Sequence, residues 1–249
     1  MQASGRTGGN LPTIIPRALS LLSVILCFEA IEWISSLRLL RGLIPIALSP
    51  LLASLFEHQV WQFGIGMLII TILSRGHLWS YGINSSSVRA SMVALLRFYG
   101  VAAILMIALV VVPMFAYGSM PFYFERMPRR DMIGWILFQW MAAAVGNEVF
   151  FHGLCQTLLL KYWREKFVLW RVEVPFVVIL TSVAFAAGRS NVSIYGDYGV
   201  EYLLAFLLGL FGGIVYFRTR SLLTPMLSQA FFYGLPFVLR YAYLTLAPR

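Results

Sequence analysis

Ala142 to Trp163 reads AAAVGNEVFFHGLCQTLLLKYW, an apolar run of helix length into which an amide, an acid, an imidazole and a thiol are set. Glu148, His152 and Cys155 follow one another at spacings of four and three residues. That spacing carries all three side chains onto one face of an α-helix. If the chain performs chemistry, this face is where the groups for it are gathered, and the remaining sequence reads as packing around it.

The surroundings are a membrane protein's. Of 249 residues, 60% are hydrophobic and only 12% charged, and the mean hydropathy is +0.81. The apolar residues gather into runs of roughly 17 to 25, the length with which a helix crosses the hydrocarbon layer. Backbone groups in hydrocarbon must be paired internally, so spans are helices or closed barrels, and runs of this length exclude barrel strands. The expected fold class is an all-α, polytopic transmembrane helix bundle.

Charge and cysteine usage narrow the partners. There are 19 Lys+Arg against 10 Asp+Glu, a formal charge of +9, with Lys161 and Lys166 the only lysines. The basic residues fall mostly between apolar runs, as anchors for anionic headgroups do. Lipid is therefore an expected partner, whereas nucleic acid is not, because no soluble segment is large enough to hold a duplex. Cys27 and Cys155 both lie in apolar runs, which indicates neither a disulfide framework nor a zinc ribbon.

In chain order, residues 1–16 are expected as a flexible tail and 17–249 as a single transmembrane domain of about eight spans. Those spans are Ala18–Ile34, Leu39–Phe56, Gln59–Ser74, Met92–Tyr117, Met132–Trp163, Val174–Ala187, Glu201–Phe217 and Leu222–Tyr241. The second and third would form a hairpin across the membrane, or alternatively a re-entrant pair, joined at Glu57 and His58, and Pro113 would kink or end the fourth. Glu29 and Glu32 are expected to meet Arg38 and Arg41 near the headgroups, and His77 to lie at the surface. Gly209, Gly212 and Gly213 are small residues of the kind that let helices approach closely. The basic Lys161–Arg171 and Arg218–Arg220 loops are assigned to the cytoplasmic side, in a bacterial-type inner membrane.

Three segments in order carry a resemblance: NEVFFHG from Asn147, FAAGR from Phe185 to Arg189, and LLGLFGGIVYFRTRSLLTPMLSQAFFY from Leu207 to Tyr233. They resemble the CPBP family of intramembrane proteases, relatives of CAAX-processing and bacteriocin-processing membrane proteins, over a core of about residues 132–241. That family places Glu-Glu-x-x-x-Arg on one helix, Phe-x-x-x-His on a second and His-x-x-x-Asn or Asp on a third. The resemblance implies a glutamate and a histidine that activate water, with a second histidine and an Asn or Asp stabilising the oxyanion.

Carried over position by position, the first glutamate becomes Asn147, the second is kept as Glu148, and the arginine becomes His152. Arg189 replaces the histidine of the second motif, and Gln229 and Tyr233 replace the histidine and Asn of the third. A general base must accept a proton near neutral pH, which neither Asn147 nor Arg189 can do. Gln229 and Tyr233 retain hydrogen-bond donors suited to an oxyanion, but a donor site without a base is a poor hydrolase.

The expectation is a pseudoprotease: a scaffold or assembly subunit for a membrane-protein partner, with no cofactor. Asn147, Glu148, His152, Arg189, Gln229 and Tyr233 would then form a buried polar network, in which Glu148 pairs with Arg189 or with protonated His152. One alternative is an active endopeptidase using Glu148 and His152, its attacking water displaced because adjacent helix positions differ by about 100°. Another is a metal- or pigment-binding subunit ligated by Glu148, His152 and Cys155.

Overall fold

The structure is a computed structural model that describes residues 11–40, 50–84, 88–106, 129–169, 172–188 and 198–246. Its first helix, α1 (Leu11–Ser36), has 26 residues, or about 39 Å at 1.5 Å per residue. From Ile14 to Ser36 it is long and apolar enough to cross a membrane, and only 11% of its most apolar window is buried. Ile15, Leu26 and Trp33 are each more than half exposed, while Ile31 faces inward. An apolar face this extensive suits hydrocarbon rather than water. The helix begins inside the stretch expected as a tail, and residues 1–10 lie outside the described residues. Its N-terminal part is tied down by an Arg17–Glu165 ion pair of 2.6 Å and by donation from Arg17 Nε to the Tyr162 carbonyl at 3.2 Å.

The expected hairpin at Glu57 and His58 does not form. A single helix, α2 (Pro50–Ser74), runs through both residues. No proline or glycine stands there to break it, and its buried Gln62, Gly66 and Ile70 recur every four residues on the face that also carries Leu52, with buried Glu57 away from that face. Glu57 accepts the backbone N–H of Leu40 at 2.8 Å, so the acid satisfies main chain near the end of α1. The α1 acid Glu32 lies 3.9 Å from His58 Nδ1. Of its two expected arginine partners, Arg41 lies outside the described residues.

A short 3₁₀ turn (Leu78–Tyr81) ends at Gly82 with φ +83°, a left-handed conformation that glycine adopts freely. The Gly82 carbonyl accepts the Leu222 N–H at 3.0 Å, and a Cβ at Gly82 would collide with the Tyr216 ring. This turn therefore clips the start of the last helix to the base of the second. After it comes α3 (Val88–Met106); Pro113 and the rest of 107–128 lie outside the described residues.

The opening stretch lies in α4, a continuous helix over 129–160. It is not uniformly α: Phe138–Ala143 and Val149–Gln156 are π-helical, set between α-helical Arg129–Leu137, Ala144–Glu148 and Thr157–Leu160. It packs against α2 and, later in the chain, against α5 (Phe176–Ala187), α6 (Tyr198–Thr219) and α7 (Leu223–Leu246). The basic, aromatic exit from α4 folds into an antiparallel hairpin, β1 (Lys166–Leu169) with β2 (Val172–Pro175), a departure from the all-α expectation. Its β-branched and aromatic Phe167, Val168, Val172 and Val174 suit a pleated ribbon, with Val174 buried and Val168 exposed, and Lys166 bonds Glu173 across it at 3.0 Å.

The fold is thus a predominantly helical bundle with α4 at its centre. Among the described residues two helices, α1 and the Glu201–Thr219 part of α6, meet the length and composition needed to cross a membrane, and Phe176–Ala187 and Leu223–Leu239 are shorter apolar helices; the described residues do not confirm eight spans. In α2, Glu57, His58, Gln59 and Gln62 interrupt the apolar run. α5, with 12 residues, is shorter than a bilayer crossing.

Candidate functional site

Every residue of the π-helical segment Val149–Gln156 is buried. A π-helical turn accommodates an extra residue and is frequent where function is placed in a helix. Here it sets the side chains of His152 and Gln156 against one face of α6.

The imidazole of His152 has no exposed surface and engages both nitrogens. Nδ1 lies 2.5 Å from Glu148 Oε2, and Nε2 lies 3.1 Å from the Gly209 carbonyl oxygen. A carbonyl can only accept, so Nε2 carries a hydrogen and donates it to Gly209. One further proton lies on the link between Nδ1 and Glu148. Whether the link is imidazolium–carboxylate or imidazole–carboxylic acid, the pair as a whole is neutral. That neutrality is what a buried acid in a membrane bundle requires.

One turn further on, the pattern repeats. Gln156 Nε2 donates to the Gly213 carbonyl at 2.9 Å, and the Thr157 hydroxyl lies 2.6 Å from the Tyr216 hydroxyl. From His152–Gly209 to Gln156–Gly213 both helices advance four residues, so α4 and α6 run in the same direction along this seam. The glycines make the approach possible. A Cβ on Gly213 would lie 2.8 Å from Val178 Cγ1 and 3.1 Å from Gln156 Oε1, and one on Gly212 would lie 3.2 Å from His152 Cε1. Residues expected only to let helices approach are thus what exposes the second lone pair of two helical carbonyls to side chains of α4.

The other motif positions are distributed around this pair. Asn147 is 5% exposed and lies beside Glu148 in the α-helical segment. Gln229, on α7, is fully buried and donates through Nε2 to the Ala143 carbonyl at 3.0 Å. One of its two amide N–H donors is thereby engaged on the backbone of α4. Tyr233, one turn later, is also fully buried. Arg189 lies outside the described residues. Among the described residues, the ion-pair partner of Glu148 is His152, one of its two expected partners.

Cys155 is a buried free thiol, and no group of three His, Cys, Asp or Glu side chains converges to hold a metal among the described residues. His77 lies at the surface as expected, edge-on to Trp79 with ring centroids 4.9 Å apart. Gln156, Thr157 and Tyr216 were not singled out from sequence. Gln156 follows His152 by four residues, and that spacing was the available signal; nothing in the sequence shows that both would meet glycine carbonyls.

Residues 129–235 match the family model of type II CAAX prenyl endopeptidase Rce1-like proteins, from the start of α4 to the middle of α7. Searches of curated proteins and of solved structures give no match. The family is one of integral membrane proteins, in accord with the exposed apolar faces of α1 and α6. Over residues 129–235, from α4 into α7, this chain is similar to the Rce1-like type II CAAX prenyl endopeptidase family.

Proposed function

We propose that this chain is a catalytically silent member of the family, in which the former site holds the bundle together and the bundle serves as scaffold for a membrane-protein partner. The observation that carries this reading is the double engagement of His152, fully buried with one nitrogen on Glu148 and the other on the Gly209 carbonyl. A general base needs a free lone pair facing its proton donor and substrate. The Nε2 edge of His152 donates to backbone, and its Nδ1 edge shares a proton with Glu148. Asn147 supplies no replacement base, and one of the two amide N–H donors of Gln229 is committed to the Ala143 carbonyl.

The four side-chain bonds from His152, Gln156, Thr157 and Gln229 cross between α4 and either α6 or α7. They are the bonds of a seam. Incubating the purified full-length protein with a prenylated C-terminal peptide is expected to give no cleavage, with wild type and Glu148→Gln alike. Glu148→Gln is the informative variant because a glutamine amide can donate to Nδ1 of neutral His152, so the seam persists. Turnover by wild type that Glu148→Gln abolishes would overturn the silent reading. The scaffold reading requires a membrane protein that copurifies in gentle detergent in fixed ratio, and a partner-free chain counts against it.

One observation favours the active alternative. A carboxyl group and an imidazole 2.5 Å apart in a dry site form the kind of pair that hydrolases use to move a proton. Under that reading His152→Ala and Glu148→Gln both abolish peptide cleavage, and Glu148→Gln does so in a protein of near-native stability.

A further inference from the structure

On another side of α6, an open pocket of about 860 Å³ lies between α3 and α6. Its volume falls within the roughly 300–1,000 Å³ of ligand sites. Its walls are apolar, with Val93 and Ala94 from α3 and Phe211 and Ile214 from α6. Three arginines line it: Arg89 near the start of α3, Arg97 two turns on, and Arg218 near the end of α6. The lining residues include no aspartate or glutamate, and among the described residues none of the three arginines forms an ion pair.

The arrangement has two chemical ends. Arg89 and Arg218 stand near the ends of neighbouring helices that both border the pocket, and guanidinium groups stay protonated at any physiological pH. Arg97 lies eight residues beyond Arg89, about 12 Å along the wall, on a helix whose neighbouring Val93 and Leu96 are exposed. A permanent cation beside exposed apolar residues is costly in a lipid setting unless an anion meets it. Guanidinium forks suit phosphate oxygens, and an apolar groove beneath them suits an acyl chain.

We propose that this groove binds one anionic phospholipid from the surrounding membrane, with its phosphate at the end held by Arg89 and Arg218, Arg97 offering a further guanidinium along the wall, and an acyl chain along Val93, Phe211 and Ile214. The site is separate from the Glu148–His152 pair, and its occupancy does not depend on whether that pair is catalytic.

The test uses the full-length protein in mild detergent, titrated with phosphatidylglycerol, phosphatidylcholine or inorganic phosphate and read by native mass spectrometry and thermal shift. Phosphatidylglycerol is expected to bind saturably with one lipid held, at least about tenfold more tightly than phosphatidylcholine, and more weakly as salt rises. Inorganic phosphate alone is expected to leave the unfolding temperature unchanged. Equal binding of the two lipids overturns the proposal, and a full shift with phosphate alone replaces it by a free-anion site. Arg97→Gln is expected to weaken phosphatidylglycerol about fivefold, and Arg89→Gln/Arg97→Gln/Arg218→Gln to bring it to the phosphatidylcholine level. The control Arg75→Gln, outside the groove, leaves it unchanged. Because the lipid comparison is made on the unaltered chain, it decides the matter even if the triple variant misfolds.

Discussion

Two sides of α6 meet the rest of the molecule on opposite terms. Toward α4 and α5 the helix presents Gly209, Gly212 and Gly213, and the space is so tight that a single added carbon on Gly213 would lie 2.8 Å from Val178. Toward α3 it presents Phe211, Ile214 and Arg218 to an open pocket of about 860 Å³. Removing side chains lets polar groups from another helix reach the backbone, and the result is a closed, bonded contact. Keeping side chains of mixed character props the neighbouring helix away and leaves room for something else. The same helix is fastened on one side and open on the other.

The comparison can be broken most forcefully at the seam. His152→Ala leaves the Glu148 carboxyl without its partner in a fully buried setting, and losing one member of a buried pair costs about 3–5 kcal/mol. The expected outcome is a large fall in unfolding temperature in detergent, or failure to accumulate folded protein. A fall of only a few tenths of a degree would show that water reaches Glu148 and that the seam is not dry.

Gly213→Ala comes next. Overpacking a close helix contact costs about 1–3 kcal/mol, more than the helix propensity that alanine restores. The matched control is Gly64→Ala on α2, where an added Cβ meets nothing within 4 Å. That substitution is expected to be neutral or to stabilise by about 0.5–1 kcal/mol. Opposite signs for the two glycines in thermal unfolding would confirm that close approach, not glycine itself, is what α6 needs.

Gln156→Leu is expected to have a smaller effect. It removes the bond to Gly213, but also the Gln156 Oε1 atom, which is buried with no hydrogen-bond partner among the described residues. Replacing an imperfectly satisfied amide by an apolar group offsets much of the loss, so chemical unfolding should show about 1 kcal/mol or less. Smallest of all for stability is Arg97→Gln on the open side, with no measurable change in neutral lipid. Its consequence is confined to the stabilisation by phosphatidylglycerol.

Much of the architecture was legible because apolar runs and helix length are local properties. The opening stretch does lie in one long helix up to Leu160, three residues short of the expected Trp163, and the final two helices fall close to the expected Glu201–Phe217 and Leu222–Tyr241. The expected break at Glu57 and His58 is absent because a polar pair within an apolar run need not mark a connection. Inside a bundle such a pair can instead serve the main chain, as Glu57 does for Leu40. The hairpin from Lys166 to Pro175 was missed because two four-residue strands carry too little periodicity to stand out from a basic, aromatic turn.

At the candidate site, the pairing of Glu148 with His152 was readable, since residues four apart on a helix meet whatever surrounds them. The second half of the arrangement was not. That the Nε2 edge of His152 meets Gly209, and that Gln156 meets Gly213, depends on a helix 57 residues further along the chain lying parallel and close. The π-helical form of Val149–Gln156 was likewise invisible, because a 3.6-residue repeat was assumed throughout.

By itself the sequence determined a helical chain with apolar faces long enough for a membrane, a family resemblance over the part that includes α4, α6 and most of α7, and an acid four residues before a histidine. These follow from composition and from spacing within single helices. Only the tertiary structure decided that the histidine is engaged on both sides, that three glycines make this possible, and that three arginines gather around an open groove. Each of these is a relation between helices far apart in the chain, set by how closely their backbones pack.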